Sequence, residues 1–186
     1  MVAAPDMGKA ASDGSQCTSV DASLTTVPER GDDEPTLKIP QPTGWQRVTM
    51  MDSELIRFAM RNAALEKDGL APTAVVTLES QPDNEDPRVV FDAQHAALEQ
   101  AIGATDLRVK QHTLCGLPAE TIEYNAPAMG ALPPHPATSV CVVMNTENRT
   151  FAVSLTVQST QPDDPTFQRD AEMILTGFQM LPPSDE

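Results

Sequence analysis

Positive charge is scarce in this sequence: 12 lysines and arginines stand against 27 aspartates and glutamates, giving a formal net charge of −15. A surface of this charge repels polyphosphate backbones and anionic lipid headgroups. Nucleic-acid binding and electrostatic adsorption to membranes are therefore disfavoured. Long apolar runs are missing as well, since no stretch approaches the ~20 residues that a membrane-spanning helix needs. We therefore expect no membrane-spanning segment.

The sequence also lacks the motifs that carry common enzyme chemistry. His95, His112 and His135 are far apart, and no cysteine or carboxylate stands at zinc-ligand spacing beside any of them. Ser139 and Ser154 lie outside any G-x-S-x-G elbow, which argues against a hydrolase triad. No glycine-rich phosphate loop is present either. We therefore predict no catalytic residue, no metal and no cofactor.

The beginning of the chain is predicted to be a leader outside the packed domain. Residues 1–15 (MVAAPDMGKAASDGS) have too little hydrophobicity to offset their ordering entropy, and they lack the charged start and apolar centre of a secretory signal. We predict a flexible leader of acidic and small residues over 1–33 and one α+β domain over 34–182. This beginning suits equally a mature exported protein whose signal was removed and a cytosolic protein.

The three cysteines lie in different surroundings. Cys141 sits in the apolar run 140–144 and is interpreted as a small buried hydrophobe. A bridge from Cys115 to Cys141 would join residues several positions apart along a predicted hairpin, beyond the ~7 Å limit on Cα separation. Cys17 with Cys115 is the better pair, and it would clamp the leader to the domain in an oxidising compartment. Three unpaired thiols in a reducing cytosol are the alternative.

Alternation of apolar and polar residues predicts the strands. The clearest one runs from Phe151 to Val157, and residues 138–144 precede it across a polar turn, so the two form a hairpin. Further strands are predicted at 73–78, 107–112 and 119–124, with weaker ones at 37–39, 46–48 and 56–60. Most connections are short, which favours a mainly antiparallel sheet.

Two helices are predicted from the same start signal. Asp86-Pro87 and Asp164-Pro165 each place a carboxylate at the N-cap and a proline at the first helical position, where no backbone donor is lost. The helices are expected to end near Gly103 and Gly177. Their apolar stripes need a sheet to cover, on one face or on both. The stripes are Phe91, Leu98 and Ile102 in the first helix, and Phe167, Ala171, Ile174 and Phe178 in the second.

The candidate binding residues are apolar and lie mostly in predicted loops. They are Trp45, Met50, Met51, Met129 and Leu132. Thioether side chains are adaptable linings for lipid or peptide contact, although core filling is the alternative. The loop over residues 125–136 is too long for a tight hairpin connection, and such loops often carry function.

The order of these elements resembles the mycobacterial LpqN/LpqT lipoprotein family over about residues 34–180. The motifs that carry the resemblance are P-T-G-W at 42–45, the C-G-L-P turn at 115–118, the strand at 151–157 and the terminal G-F at 177–178. The resemblance implies the PsbP-like fold, an antiparallel sheet flanked by helices, in exported proteins without known catalytic residues. It also implies association with envelope lipids, transport partners or host proteins. The residues before Cys17 lack the apolar run of an acylation site, so lipidation there is not expected.

The resulting hypothesis is a non-enzymatic protein, secreted or held in the cell envelope, that binds an apolar or amphipathic ligand or a protein partner. An envelope lipid is one candidate ligand, and the expected site is a cleft between the sheet and a loop. Two alternatives are a protein-interaction or scaffold module without a small-molecule pocket, and a hydrolase with an unrecognised site.

Overall fold

The computed structural model describes residues 16–184. Over this range the chain forms ten strands and two α-helices, the first of which ends in a π-helical turn (Ala97–Ile102). The strands are β1 (Ser23–Thr26), β2 (Thr36–Gln41), β3 (Trp45–Arg47), β4 (Ile56–Asn62), β5 (Thr73–Pro82), β6 (Thr105–Leu114), β7 (Leu117–Ala126), β8 (His135–Asn145), β9 (Arg149–Gln158) and β10 (Gln179–Leu181), and the helices are α1 (Pro87–Ala96) and α2 (Pro165–Gly177). A short 3-10 turn (Ala63–Leu65) follows β4.

Seven strands form the main sheet, in the order β3-β4-β5-β9-β8-β7-β6, and every neighbouring pair is antiparallel. The predicted hairpin is its centre, where Leu155 of β9 pairs with Val140 of β8 on one side and with Val76 of β5 on the other. All three side chains are buried. The predicted α+β architecture with a mainly antiparallel sheet is confirmed.

The helices cover opposite faces of the main sheet. Successive residues of a strand point to opposite sides, and β8 shows both: Cys141 and Val143 pack with Phe91 of α1, whereas Val140 belongs to the same apolar cluster as Phe167 of α2. Both stripes therefore find a sheet surface, which resolves the choice between one covered face and two. Within residues 16–184, neither helix has the length and hydropathy to cross a bilayer.

Both predicted helix starts are present. The Asp86 carboxylate accepts a hydrogen bond from the backbone N–H of Arg88 at 2.9 Å, and Asp164 accepts one from Phe167 at 3.0 Å. Each carboxylate therefore satisfies a donor that the first helical turn leaves unpaired.

The end of the first helix departs from the predicted stripe at one residue. Gly103 ends the helix as predicted, with a φ of 81° that glycine adopts readily. Ile102, however, is 41% exposed rather than part of the buried stripe. The reason is the π-helical turn, in which each residue advances by a smaller angle around the axis than in an α-helix. Ile102 is therefore rotated away from the face on which a 3.6-residue repeat would place it.

A second, three-stranded sheet has the order β1-β2-β10 and changes the predicted domain boundary. β1 pairs with β2, placing Thr25 opposite Ile39, and the following Val27 is buried. Residues 16–33, predicted as part of a flexible leader, therefore belong to the folded domain here. The predicted flexibility of residues 1–15 lies outside the described residues.

Candidate functional site

A cleft lies between α2 and the β6–β8 part of the main sheet, and its volume is about 580 Å³. We call it the α2 cleft. One part of its lining is apolar and comprises Leu114, Val140, Val157, Phe167, Ala171 and Leu175. The other part is polar and includes His112, Thr121, Glu123, Gln168, Glu172 and Thr176. The lining is thus amphipathic.

The cleft exists because the sheet is wider than its helix. Seven strands spaced about 4.8 Å apart span roughly 29 Å, whereas a helix with its side chains is only about 10 Å across. Exposure increases along a row of directly paired residues that crosses the sheet on the side covered by α2. In order from β5 to β6, Val76, Leu155 and Val140 are buried, Thr121 is half-buried and Lys110 is exposed. Cover therefore ends between β8 and β7, and the open space begins there.

One end of the cleft is closed by residues 16–22, which we call the N-terminal strap. Cys17 is joined to Cys115 by a disulfide, with the two Cα atoms 4.1 Å apart, and this is the pair favoured from the sequence. Gln16 and Thr18 of the strap line the cleft. Further along, Val20 lies so close to Gly177 that a Cβ on that glycine would come within 2.5 Å of it. The strap thus crosses from the β6–β7 turn to the end of α2.

The third cysteine has no such partner in this part of the molecule. Cys141 is a free thiol, 1% exposed, on the opposite face of the sheet. Burial raises the pKa of this thiol to about 11, and the nearby carboxylates of Glu120 and Glu79 add to the increase, although a hydrogen bond with Ser154 opposes it. Since the thiolate is the reactive form, Cys141 is a packing residue, as predicted.

A histidine and a threonine form the polar centre of the cleft. His112 Nε2 lies 2.7 Å from Thr121 Oγ1, and His112 Nδ1 lies 3.2 Å from the carbonyl oxygen of Thr113. Because a carbonyl can only accept, the network assigns the proton to Nδ1 and makes Nε2 the acceptor of the Thr121 hydroxyl. The pair can hydrogen-bond a polar group of a ligand. The same contact occurs in nucleophilic catalysis, but there the base is oriented by a third side chain, whereas here a main-chain carbonyl occupies that position.

The five residues predicted to bind ligand do not line the α2 cleft. Trp45 is 3% exposed, and its Nε1 donates a hydrogen bond of 2.9 Å to the fully buried Asp170, so the indole belongs to the core. Met50 and Met51 are 94% and 41% exposed in the connection between β3 and β4. Met129 and Leu132 pair with each other in the loop between β7 and β8. For these four loop residues, ligand binding stays a prediction.

The residues that do form the cleft carried little signal in the sequence. They occupy both apolar and polar positions of otherwise ordinary strands and one side of an amphipathic helix. One clue is available in the strand register. The β7 residues Thr121 and Glu123 lie in the same rows across the sheet as buried residues of β9, yet they are polar. That clue is readable only after the strand pairing is known, because the pairing assigns residues to faces.

On the face of α1, a buried carboxylate is fully paired. Glu120 is 2% exposed, and its oxygens contact His95 Nε2 at 2.7 Å and Gln111 Nε2 at 3.2 Å. A buried carboxylate is stable only when its oxygens are paired. These contacts are therefore accounted for by the stability of the fold. Across residues 16–184, no three histidine, cysteine or acidic side chains come together in a way that could hold a metal ion.

Comparison with known proteins gives one family and one fold. The family model described as probable lipoprotein LpqN matches residues 17–181. The crystal structure of LpqN from Mycobacterium tuberculosis, described as involved in cell envelope biogenesis, is similar with a TM-score of 0.67 and 17% identity, over 86% of this chain and 91% of that chain. The Ran-binding protein Mog1p of Saccharomyces cerevisiae is similar with a TM-score of 0.51 and 14% identity, over 87% and 97%. No curated protein sequence matches significantly. The predicted family and its PsbP-like fold are confirmed.

Proposed function

The chain belongs to the LpqN lipoprotein family, and from this premise we propose that it is an exported cell-envelope protein that binds an amphipathic ligand in the α2 cleft. Three observations support the location. The family is described as lipoproteins, LpqN of M. tuberculosis is described as involved in cell envelope biogenesis, and the Cys17–Cys115 disulfide is of the kind that persists in oxidising compartments.

The observation that carries the ligand proposal is the cleft itself. Its volume of about 580 Å³ falls within the ~300–1,000 Å³ usual for small-molecule sites. The apolar wall, formed by residues such as Val140 and Phe167, can accept a hydrocarbon segment, while His112 and Thr121 can hydrogen-bond a polar group. Glu123 and Glu172 on the lining, together with the acidic surface, disfavour a strongly anionic headgroup. An envelope lipid with an uncharged headgroup fits these constraints.

Native mass spectrometry before and after lipid extraction tests this proposal. We expect protein purified from a mycobacterial host to carry additional mass that extraction removes. Ala171→Trp, which places an indole in the cleft, should abolish the additional mass. Ala93→Trp is the matched control, because Ala93 is exposed on α1. Wild-type protein without additional mass, or an Ala171→Trp protein that retains it, would refute cleft binding.

We propose that the His112–Thr121 pair orients the ligand and carries no nucleophilic step. Thr121→Val keeps the shape of the side chain and removes the hydroxyl. Weaker lipid retention in this variant supports a binding role. Hydrolysis of p-nitrophenyl esters by the wild type that disappears in Thr121→Val would instead support the hydrolase alternative.

A protein-interaction module is the second candidate, and one observation favours it. Met50, Met51 and Leu55, which lie in a single connection, are 94%, 41% and 44% exposed. Clustered exposed apolar side chains are typical of contact surfaces. A photo-crosslinker at position 50 should then join the protein to an envelope protein even when Ala171→Trp blocks the cleft. Absence of such a product would count against this candidate.

A further inference from the structure

The last strand of the main sheet has a free edge. β6 is ten residues long and, within residues 16–184, it pairs only with β7, whereas the opposite edge strand β3 has three residues. A long edge strand exposes backbone N–H and C=O groups that another strand can pair with. β6 is therefore the sheet edge best suited to accept a partner.

The turn after β6 identifies which backbone groups point outward. Leu114 and Leu117 are opposite one another, and the two residues between them, Cys115 and Gly116, have φ values of 51° and 79°. Positive φ at both central positions is the signature of a type I′ turn, which is closed by a hydrogen-bonded residue pair. Hydrogen-bonded and non-bonded pairs then alternate back along β6. The backbone groups of Val109, Gln111 and Thr113 consequently face away from β7.

These outward-facing positions are accessible. Val109, Gln111 and Thr113 are all exposed, and Val109 is an apolar side chain with 44% of its surface in solvent. The Thr113 carbonyl accepts the His112 side chain described above, which leaves one lone pair free. Three donors and three acceptors at a spacing of two residues match the repeat of an antiparallel partner strand.

The cleft-facing side of β6 carries two cationic side chains, Arg108 and Lys110. Arg108, Lys110 and His112 alternate along the strand in a protein whose net charge is −15. Arg108 forms an exposed ion pair of 3.0 Å with Glu123, and within the described range Lys110 has no carboxylate at salt-bridge distance. Asp106 lies near the start of the same strand, so the positive charge that lacks a carboxylate partner on this edge is that of Lys110.

This pattern disfavours a second copy of the chain as the occupant. In the two-fold antiparallel registers centred on residue 109 or residue 110, Lys110 lies opposite Arg108 or Lys110 of the other copy. Like charges directly across a strand pair are destabilising, and two molecules of net charge −15 repel each other as well.

We propose that the β6 edge binds an extended acidic segment of a partner protein by β-strand addition. Carboxylates of the segment lie opposite Arg108 and Lys110, and its alternate apolar side chains pack beside Val109. Main-chain hydrogen bonds supply affinity, and the basic side chains supply selectivity for acidic residues. The edge borders the α2 cleft, since His112 and Thr113 belong to both, but the outward backbone groups of β6 do not depend on a ligand in the cleft.

A synthetic peptide tests this proposal. The probe is a fluorescein-labelled Thr-Glu-Val-Glu-Val-Glu-Thr peptide, compared with a version carrying lysine for glutamate and with a version N-methylated at alternate residues. We expect only the first to bind by fluorescence anisotropy, with amide NMR shifts centred on Val109, Gln111 and Thr113. Equal binding of the N-methylated or the lysine peptide, or no binding of the acidic peptide, would overturn the proposal.

Matched variants separate backbone pairing from charge. Val109→Pro removes an outward N–H and should weaken binding at least about tenfold, whereas Val109→Thr keeps the donor and should bind normally. Lys110→Glu should weaken binding about fivefold, and Lys67→Glu, an equal charge change at a distant exposed site, should have no such effect. Unchanged binding in Val109→Pro, or a concentration-dependent dimer of the wild type, contradicts the assignment.

Discussion

The contact between Trp45 and Asp170 should contribute strongly to the stability of the packing between β3 of the main sheet and α2. Asp170 has no exposed surface, and Trp45 Nε1 donates to its Oδ2 at 2.9 Å across 125 positions of sequence. A hydrogen bond to a charged group contributes about 1.5–3 kcal/mol. Trp45→Phe loses this bond and leaves a small cavity that adds about 1 kcal/mol. The expected loss is therefore about 2.5–4 kcal/mol, or roughly 5–16 °C in melting temperature.

A double-mutant cycle isolates the hydrogen bond. Asp170→Leu removes the carboxylate and leaves the indole N–H buried without a partner, which costs about 1–3 kcal/mol. The double variant Trp45→Phe with Asp170→Leu contains neither the unpaired carboxylate nor the unpaired indole N–H. Its loss of unfolding free energy should therefore be smaller than the sum of the two single-variant losses by about 1.5–3 kcal/mol. Arg169→Ala is the control, since that guanidinium lies 3.3 Å from Asp170 Oδ1 but is 70% exposed; its effect should stay below about 1 kcal/mol.

The measurement is urea unfolding followed by far-UV circular dichroism, because Trp45 is the only tryptophan and its fluorescence is lost in the variant. Single-variant effects that add within about 0.5 kcal/mol would refute the reasoning, since independent sites behave in that way.

Three further predictions concern the strap, an ion pair and a glycine. Replacing Cys17 and Cys115 together by serine should lower the free energy of unfolding by about 2–4 kcal/mol, because the bond spans 98 positions; an unchanged urea midpoint would exclude a stabilising role. Burial by itself raises the pKa of Glu34, but its paired hydrogen bonds with Arg57, at 2.8 and 2.9 Å, and the Arg30 backbone N–H hold it below the ordinary 4.5. The stabilisation is therefore present above pH 4.5 and lost as the pH falls through the lowered pKa, so wild type and Glu34→Gln should differ most at neutral pH and converge in acid unfolding titrations. Gly177→Ala should destabilise the protein because its Cβ would come within 2.5 Å of Val20 and 2.8 Å of Pro40. Val20→Ala removes the first of these contacts and should restore part of the loss; a thermal melt that shows no rescue would contradict the packing.

Local chemistry made much of the fold predictable. The Asp-Pro pairs at Asp86 and Asp164 act through backbone N–H groups within three residues, so their effect can be read without tertiary information. The alternation from Phe151 to Val157 likewise determines one face of β9. β1 was missed because its residues are mostly exposed, which leaves no apolar alternation, and it is defined only by pairing with β2.

The candidate site was less accessible from the sequence for a similar reason. Trp45 looked like a binding residue because its partner, Asp170, is distant in sequence. The α2 cleft depends on where a helix stops covering a sheet, which is a property of the assembled layers. The register of β6, β7 and β8 then decides which polar side chains face that opening.

The bond between Cys17 and Cys115 also governs how the chain responds to tension. A pull applied at residues 17 and 184 reaches the tip of the β6–β7 hairpin directly, so the intervening 98 positions bear no load. At about 3.5 Å for each residue, roughly 340 Å of contour length is withheld from extension while the bond is intact. β1 to β6 and α1 thus lie within a covalent loop that stretching cannot open, and only the chain beyond Cys115 can be drawn out.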